Sequence, residues 1–359
     1  MTSFNYVPLV ELTRGPIVEC IHYGAYAVVD AQNRVVQSAG DPEIVTYLRS
    51  SAKPFQVLAF VEAGGVDAFH LTERELAVMC ASHHGTDEHV KVIQGIHKKI
   101  GISESDLMCG IHPPSDPLTA ERMLKNGEPF TPIRHNCSGK HTGMLALCKL
   151  KGFPTEDYLD PQHPAQKLIL DTFSQVTGVP REHIILGTDG CSAPVFAIPL
   201  HAAAWAFAQL ADPSALPEPR QSALRRIFRA MTSNPDMIAG PNAFDTDLML
   251  AGNGKILSKG GAEGYQALAV LPGAFGKDSP ALGICLKISD GDQAEIGTKA
   301  YPMQVAHAAS GRARTLASIE ILRRLGALDA AQLIQLAAYA PRPLYNWRHL
   351  EIGEIRPAE

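Results

Sequence analysis

The amino-acid sequence predicts an α/β (α+β) fold with a mixed or antiparallel sheet, helices packed on that sheet, and a helical lobe beside it. Three observations support this: strand-like patterns near the N-terminus, a helix-rich middle, and further strand-like patterns after residue 250. We therefore expect one sheet built from both ends of the chain. The 359 residues then form one two-lobed domain, with residues 1–50 and 250–359 in the sheet lobe and 51–249 in the mainly helical lobe.

The strand predictions depend on apolar runs bounded by turn residues. Residues 16 to 38 contain IVECIHYGAYAVV and NRVVQSAG, separated by DAQN, which is typical of a strand pair. Short runs after residue 250 surround GKILSKG, EGYQALAVL and ALGICLKIS. Together these runs provide strands at both ends of the chain.

Helices are predicted where apolar residues recur every three or four positions. The clearest start is LTEREL, in which Thr72 and Glu75 have the spacing of a capping box. The run from 195 to 211, VFAIPLHAAAWAFAQLA, is predicted as a buried helix. Other predicted helices cover 90–100, 164–177, 220–232, 314–326 and 330–339.

Composition and charge exclude several classes of protein. The chain is 45% hydrophobic and 19% charged, with a net charge of -5 and no long basic run, so we expect no nucleic-acid partner. The most apolar stretch contains Pro199, His201 and Gln209, which makes it too broken to span a membrane. The N-terminus lacks a basic start followed by an apolar core, so no signal peptide is expected. An odd number of cysteines, seven, then favours reduced thiols and a cytoplasmic location.

The stretch RSSAKP, residues 49 to 54, contains a serine and a lysine at helical spacing. Ser50 and Lys53 are three apart and would be neighbours on a helix, whereas Ser51 and Lys53 would not. A neutral lysine can take the proton that makes a serine nucleophilic. Pro54 suits a first helical turn, so Ser50 would lie near free backbone N–H groups that stabilise an oxyanion. The alternative is an ordinary N-cap serine.

Two further stretches add a second serine and a second lysine. MCASHHG (79–85) ends an apolar run with Ser82, and ILSKGGAEG (256–264) carries Lys259 before two glycines. A lysine close to Lys53 would lower the pKa of both ammonium groups. The order of these motifs is partly that of penicillin-binding proteins and class A β-lactamases, although Ser-Asp-Asn is absent. The alternatives are a helix end capped by Gly85 and a surface turn.

Two cysteine-containing stretches suggest a ligand site. HNCSGKHTGM (135–144) brings Cys137, Lys140 and His141 together before an apolar helix, and LGTDGCSAP (186–194) places Asp189 and Cys191 in a glycine-rich loop. Cys137 and Cys191 are candidate thiolate ligands, but without paired C-x-x-C motifs the zinc signal is weak. A capped turn with Ser138 as the cap explains the first stretch equally well.

Together, the motifs of the chain resemble a known family. RSSAKP, AVMCASHHG, NCSGKHTGML, GTDGCSAP, IFRAMTSNPDMIAG and SKGGAEG, in this order, resemble the bacterial asparaginase II family of the Rhizobium etli type, the class 3 L-asparaginases. The resemblance extends over nearly the whole chain. It implies a fold similar to that of serine β-lactamases and glutaminases, hydrolysis of L-asparagine to L-aspartate and ammonia, a homodimer and one zinc ion per chain.

The resemblance also implies roles for individual residues. The catalytic positions of the family fall on Ser50, Lys53, Ser82 and Lys259. The substrate-side positions fall on Arg49, His141 and Asp189. The zinc site falls on Cys137, Lys140 and Cys191. In the expected mechanism Ser50 attacks the side-chain amide, Lys53 accepts its proton, and Ser82 with Lys259 relays a proton to the leaving ammonia. The zinc would orient the substrate, or tune His141 and Asp189, without activating the attacking water.

Three alternatives remain open at this point. The first is a glutaminase or another β-lactamase-like serine amidohydrolase. The second is a zinc-binding protein without catalysis, and the third is a scaffold protein, which the density of glycine-flanked polar loops disfavours. The polar segment 240–249 is a candidate lid over the site.

Overall fold

The computed structural model describes residues 5–292 and 311–358. The strands within these residues are β1 (Val7–Arg14), β2 (Ile17–Asp30), β3 (Val35–Ala39), β4 (Val45–Tyr47), β5 (Ile185–Thr188), β6 (Pro194–Pro199), β7 (Ile256–Gly261), β8 (Tyr265–Val270), β9 (Leu282–Ile288), β10 (Arg342–Tyr345) and β11 (Glu351–Pro357).

The larger sheet joins the two ends of the chain. Its strand order is β10-β11-β1-β2-β9-β8-β7, with β3 paired to β2, and every pairing is antiparallel. The predicted sheet from both chain ends is therefore confirmed, with antiparallel strands. Strand β7, which carries Lys259, lies at one edge of the sheet.

Both faces of this sheet are buried. Along β2, Ala25 and Ala27 face the core shared with the helical lobe, while Tyr26 and Val28 face a second core on the other side. Side chains of a strand alternate between faces, so two covered faces explain why the central strands read as nearly continuous apolar runs.

The helices are α1 (Lys53–Gln56), α2 (Leu58–Glu62), α3 (Gly65–Ala68), α4 (Glu73–Met79), α5 (Asp87–Ile100), α6 (Pro117–Asn126), α7 (Ser138–Lys151), α8 (Pro164–Thr177), α9 (Leu200–Ala211), α10 (Arg220–Ser233), α11 (Pro235–Ile238), α12 (Phe244–Ala251), α13 (Ala313–Arg324) and α14 (Ala330–Gln335). The capping box predicted at Thr72 and Glu75 is confirmed at the start of α4. Of the predicted helix at 330–339, only the first part is α-helical, and Ala337–Tyr339 forms a 3₁₀ turn.

Helix α9 joins the helical lobe to the larger sheet at very close range. A Cβ atom on Gly283 of β9 would lie 1.8 Å from the Ala204 carbonyl oxygen, so only glycine allows this approach. Phe207 of the same helix packs edge-on against Phe55 of α1, with ring centroids 5.1 Å apart. The helix therefore links the sheet to the segment that follows Ser50.

A second sheet corrects one sequence prediction. It has the order β4-β6-β5, so the predicted helix at 195–211 is wrong in its first part, where Pro194–Pro199 forms a strand. A short apolar run does not distinguish a buried strand from a buried helix. Pro199 then separates β6 from α9. Among the described residues, no helix is long and apolar enough to cross a membrane.

Candidate active site

A cavity of about 210 Å³ lies between the edge strand β7 and the helical lobe. Three of the predicted catalytic residues line it, namely Ser50, Ser82 and Lys259. The volume is smaller than the ~300–1,000 Å³ typical of pockets for drug-sized ligands, so the cavity suits a small substrate. The other lining residues are His84, Ser115, Asn136, Ala239, Ala243, Phe244, Asp245, Gly260, Gly261, Ala262 and Arg314.

The turn that carries Ser50 is a 3₁₀ helix, Arg49–Ala52, which runs directly into α1. Lys53 begins α1, and Pro54 occupies its first turn, as predicted. Ser50 is half-buried, and its hydroxyl makes no hydrogen bond with any described residue. The expected Ser50–Lys53 hydrogen bond is thus not formed; bonds between catalytic groups often form only in the substrate complex.

Backbone strain precedes Ser50. Arg49 has φ +51°, in the left-handed region that non-glycine residues rarely adopt. Its side chain is held by Asp189, with Nε 2.9 Å and Nη2 2.8 Å from Oδ1, and Nη1 lies 3.7 Å from a carboxylate oxygen of Glu263. Contacts from two other loops therefore maintain the conformation of the Ser50 turn.

The Ser82 hydroxyl lies between the two predicted lysines. Lys53 Nζ donates to Ser82 Oγ at 2.8 Å and to the Ala81 carbonyl at 2.6 Å. Lys259 Nζ donates to the same Ser82 Oγ at 2.9 Å and to the Gly260 carbonyl at 2.7 Å. Because an ammonium group has no acceptor, Ser82 can pass its proton to a lysine only when that lysine is neutral.

Lys259 is the lysine whose environment favours the neutral form. The side chain is completely buried, and this burial, with the nearby charges of Lys53 and Arg314, lowers its pKa to about 7 despite the opposing effect of Asp245. A large share of Lys259 is therefore neutral near pH 7, in hydrogen-bond contact with Ser82.

The two glycines after Lys259 allow close packing on both sides of β7. A Cβ on Gly260 would lie 2.9 Å from Arg314 Nη1 and 3.3 Å from Asp245 Oδ2. A Cβ on Gly261 would lie 2.6 Å from the Leu48 carbonyl oxygen, just before the Ser50 turn. The Ser51 hydroxyl donates to the Lys259 carbonyl at 2.7 Å, so the turn is bonded directly to the edge strand.

The residues predicted to bind zinc converge beside the cavity. Lys140 Nζ lies 2.8 Å from Cys191 Sγ and 4.0 Å from Asp189 Oδ2, and the Cys137 and Cys191 thiols are hydrogen-bonded to each other. All three predicted ligands are at least 96% buried. Lys140 lies in the first turn of α7 rather than in a turn before it, and Cys137 directly precedes that helix.

The donor set of this cluster fits zinc. Two thiols supply the sulfur ligands that zinc prefers, and three protein ligands leave one position open. A lysine amine is an unusual ligand that binds only when neutral; although burial opposes it, the charges of Cys137, Cys191 and Asp189 raise the pKa of Lys140, so the metal itself would have to displace its proton. The hydrogen bond from Cys191 lowers the pKa of the Cys137 thiol far below its usual value, so one thiolate is favoured. In the part of the chain that the structure describes, no three His, Cys, Asp or Glu side chains form a metal-binding group, so a metal here would depend on Lys140.

A close helix contact connects this cluster to the Ser82 segment. A Cβ on Gly139 would lie 2.0 Å from the Val78 carbonyl oxygen, so α7 begins directly against the end of α4. His83 Nε2 and Ser138 Oγ are 2.9 Å apart, and Ser138 Oγ donates to the Ile133 carbonyl. Since Ser138 has one proton, His83 donates through Nε2, while its Nδ1 accepts from Gly85 N.

The three predicted substrate-side residues do not line the cavity. Arg49 and Asp189 bind each other, and His141 is completely buried in α7. His141 Nδ1 is 2.6 Å from the Tyr158 hydroxyl, and its Nε2 has no hydrogen-bond partner within the described residues. Their substrate-binding role stays a prediction.

Sequence reasoning missed several polar side chains of the cavity. His84, Ser115, Asn136, Asp245 and Arg314 line it but were assigned no role from the sequence. His84 and Asn136 lie in motifs that the sequence analysis had already selected. Only their proximity in sequence to Ser82 and Cys137 could have indicated that they line the cavity. The segment predicted as a lid, 240–249, forms part of the cavity wall, and its second half lies in the largely buried helix α12. Its role as a lid stays a prediction.

Comparison with known proteins identifies a family. The profile of the L-asparaginase II family matches residues 10–357. No curated protein matches the chain significantly. Similar solved structures include a probable glutaminase of Bacillus subtilis (12% identity, 80% of this chain and 87% of that chain covered, TM-score 0.34) and the Bacillus subtilis glutaminase in covalent complex with 5-oxo-L-norleucine (10%, 83% and 88%, 0.35).

A protein named Mglu also matches, with 15% identity, 86% of this chain and 69% of that chain covered, and a TM-score of 0.35. Similarities at this level of identity and TM-score do not transfer an activity or a site to this chain. The family profile, in contrast, covers nearly every residue. The protein is therefore a member of the L-asparaginase II family and an amidohydrolase.

Proposed function

We propose that the protein hydrolyses L-asparagine to L-aspartate and ammonia through an acyl-enzyme on Ser50. The observation that best supports this proposal is the Ser82 hydroxyl held between two buried lysines, next to Ser50 in one small cavity. Family membership supports the reaction class, and the small volume supports a substrate the size of an amino acid.

In the proposed reaction, Lys53 first passes its extra proton through Ser82 to neutral Lys259, and Ser50 Oγ then attacks the side-chain amide carbon while its own proton passes to Lys53. The carbon–nitrogen bond then breaks, and ammonia leaves with a proton relayed through Ser82 from the lysine pair. Water cleaves the ester on Ser50, releases L-aspartate and restores the hydroxyl. Neutral Lys259 keeps Ser82 able to exchange its proton, so the reaction should slow as the pH falls below about 7.

Adjacent serines provide a matched test of the nucleophile. Ser50→Ala should reduce ammonia release from L-asparagine by at least ~10³-fold without loss of stability, because the Ser50 hydroxyl bonds no described residue. Ser51→Ala removes a buried hydrogen bond to the Lys259 carbonyl and should cost about 1–3 kcal/mol of stability but retain measurable turnover. Near-normal turnover by Ser50→Ala would refute the nucleophile assignment.

The substrate is tested by ammonia release from L-asparagine and L-glutamine in parallel. We expect release from asparagine to greatly exceed release from glutamine. Quenching the asparagine reaction and analysing the peptide that contains Ser50 by mass spectrometry should detect an aspartyl adduct. Faster release from glutamine would replace asparagine as the substrate while keeping the acyl-enzyme mechanism.

We also propose that Cys137, Lys140 and Cys191 bind one zinc ion per chain, as two thiolates and a neutral amine. The bound ion would supply a fixed positive charge beside the cavity that orients the substrate. Zinc content measured by atomic emission should fall from about one per chain to near zero in Cys191→Ala, while Cys148→Ala, which alters a buried cysteine outside the cluster, should keep it. Full zinc content in Cys191→Ala would contradict this site.

We also propose that the protein is a homodimer, as the family resemblance implies. Light scattering of the purified protein should give twice the monomer mass, and a monomer at micromolar concentration would refute it.

A further inference from the structure

Asp245 is a buried carboxylate in the cavity wall with no role in the mechanism described above. It is the second residue of α12 and 8% exposed, and it lines the cavity. A buried carboxylate is costly unless its oxygens accept hydrogen bonds or face positive charge. The identity of its partners therefore indicates what it does.

The hydrogen-bond partners of Asp245 lie on both sides of Lys259. Ser258 Oγ donates to Oδ1 at 2.6 Å, and the backbone N–H of Gly260 donates to Oδ2 at 2.7 Å. From the neighbouring strand, Gln266 Nε2 donates to Oδ1 and to Ser258 Oγ, both at 2.9 Å. The carboxylate thus fixes the residue before and the residue after the lysine, on the edge strand β7.

Asp245 also balances a group of cations. Lys53 and Lys259 are completely buried beside the cavity and Arg314 is partly buried in its wall, and among the described lining residues Asp245 is the carboxylate. Burial alone would raise the pKa of Asp245, but Lys259, the Ser258 hydrogen bond and Arg314 outweigh it and keep the group ionised. The titratable or charged groups that act on Lys259 or are affected by it are Asp245 from α12, Arg314 from α13, Lys53 from α1, Cys80 after α4, His84 and Cys137.

We propose that Asp245 is the positioning residue that fixes Lys259 against Ser82 and supplies the negative charge opposing the cations around the cavity. The inference depends on the proposed role of Lys259 in the reaction. Asp245 acts through the lysine and need not touch the substrate. Without its charge, the effect of Lys53 and Arg314 on Lys259 would be opposed mainly by Cys137, whose effect is smaller, and the lysine would lose its proton at lower pH.

The test is the pH dependence of kcat/KM in Asp245→Asn, which keeps the shape of the side chain and removes its charge. We expect the acidic limb of the profile to move to lower pH by about one unit or more, because a unit charge at this distance is poorly screened in a buried site. Ser258→Ala is the matched control, since it removes one hydrogen bond to the same carboxylate but leaves the charge. It should lower kcat with a much smaller shift of the limb.

A second readout separates this inference from the proposed substrate. The rate at which a fluorophosphonate labels Ser50 also depends on the lysines, and it requires no turnover of asparagine. If wild-type protein does not hydrolyse asparagine, the proposed function fails, but the labelling profiles of wild type and Asp245→Asn still test the inference. An acidic limb that stays in place in both assays would overturn it.

A conservative variant covers the case in which Asp245→Asn does not fold. Asp245→Glu keeps the charge and alters the distances, so the acidic limb should stay within a few tenths of a unit while kcat falls. A limb that moves down by a unit in Asp245→Glu would also overturn the proposal, because the charge would then have no part in it.

Discussion

Replacing Lys259 with methionine should change the pH dependence of stability in a defined direction. Methionine preserves most of the volume and removes the charge. Burial, together with Lys53 and Arg314, lowers the pKa of Lys259 from 10.5 to about 7 in the folded protein. In the unfolded chain the lysine titrates at its ordinary value of ~10.4. Between these two values the unfolded state binds one more proton than the folded state.

This difference in bound protons determines the sign and size of the pH dependence of the free energy of unfolding. The free energy of unfolding of the wild type should rise with pH by about 1.4 kcal/mol per unit in this window from this group alone. Below pH 7 both states are protonated, and the penalty of the buried charge reaches its full value of ~5 kcal/mol. The variant lacks this contribution, so the free energy of unfolding of wild type minus variant should increase as the pH rises.

Urea unfolding of both proteins measures this difference. Between about pH 7 and pH 9 it should grow by roughly 2–3 kcal/mol in favour of the wild type. Lys255→Met serves as the control, because Lys255 is exposed at the turn before β7 and water solvates it in both states. A difference that does not vary with pH would refute the reasoning and remove the basis for a neutral Lys259 in the reaction.

Four further predictions test other parts of the structure. Ammonia release should fall as the pH decreases through about 7, as measured in a pH–rate profile of the wild type. Gly261→Ala should reduce turnover about 10²-fold or more, since its Cβ would displace the Leu48 carbonyl before the Ser50 turn; kcat at saturating asparagine checks this. Gly95→Ala should raise stability by about 0.5–1 kcal/mol in thermal unfolding without changing turnover, because the nearest atom to its Cβ is 3.5 Å away. Phe55→Ala should lower the free energy of unfolding in urea by about 3–5 kcal/mol, because the ring is completely buried against Phe173 and Phe207.

The sequence predicted the sheet from both chain ends because its central strands are apolar on both faces. It did not predict β1, β10 or β11. Strand β11 has mainly half-exposed residues and pairs with β1 more than 340 residues away, with Val10 opposite Pro357. No local pattern encodes a pairing of that length, so these strands become visible only in three dimensions.

The candidate active site was likewise predicted only in part from the sequence. Ser50, Ser82 and Lys259 were found because serine and lysine stand out in the short motifs RSSAKP, MCASHHG and SKGGAEG. Arg314 was missed because RTLASIEILRR looks like an amphipathic helix with a surface arginine, although the side chain lines the cavity. Asp245 was missed because an acidic, polar segment is more often an exposed loop than the wall of a cavity.

The larger sheet also has a consequence for how the protein folds during synthesis. Strands β1 and β2 are synthesised first. The partner of β2, strand β9, is synthesised late, and the partner of β1, strand β11, is synthesised last. A nascent chain still lacking residue 259 has the Ser50 turn and Ser82 but neither the second lysine nor the edge strand that supports that turn. Strands that are far apart in sequence pair slowly. The edges of the N-terminal hairpin therefore stay unpaired until translation is nearly complete. Overexpression should therefore favour aggregation of unfinished chains, and a lower expression level should increase the yield of folded protein.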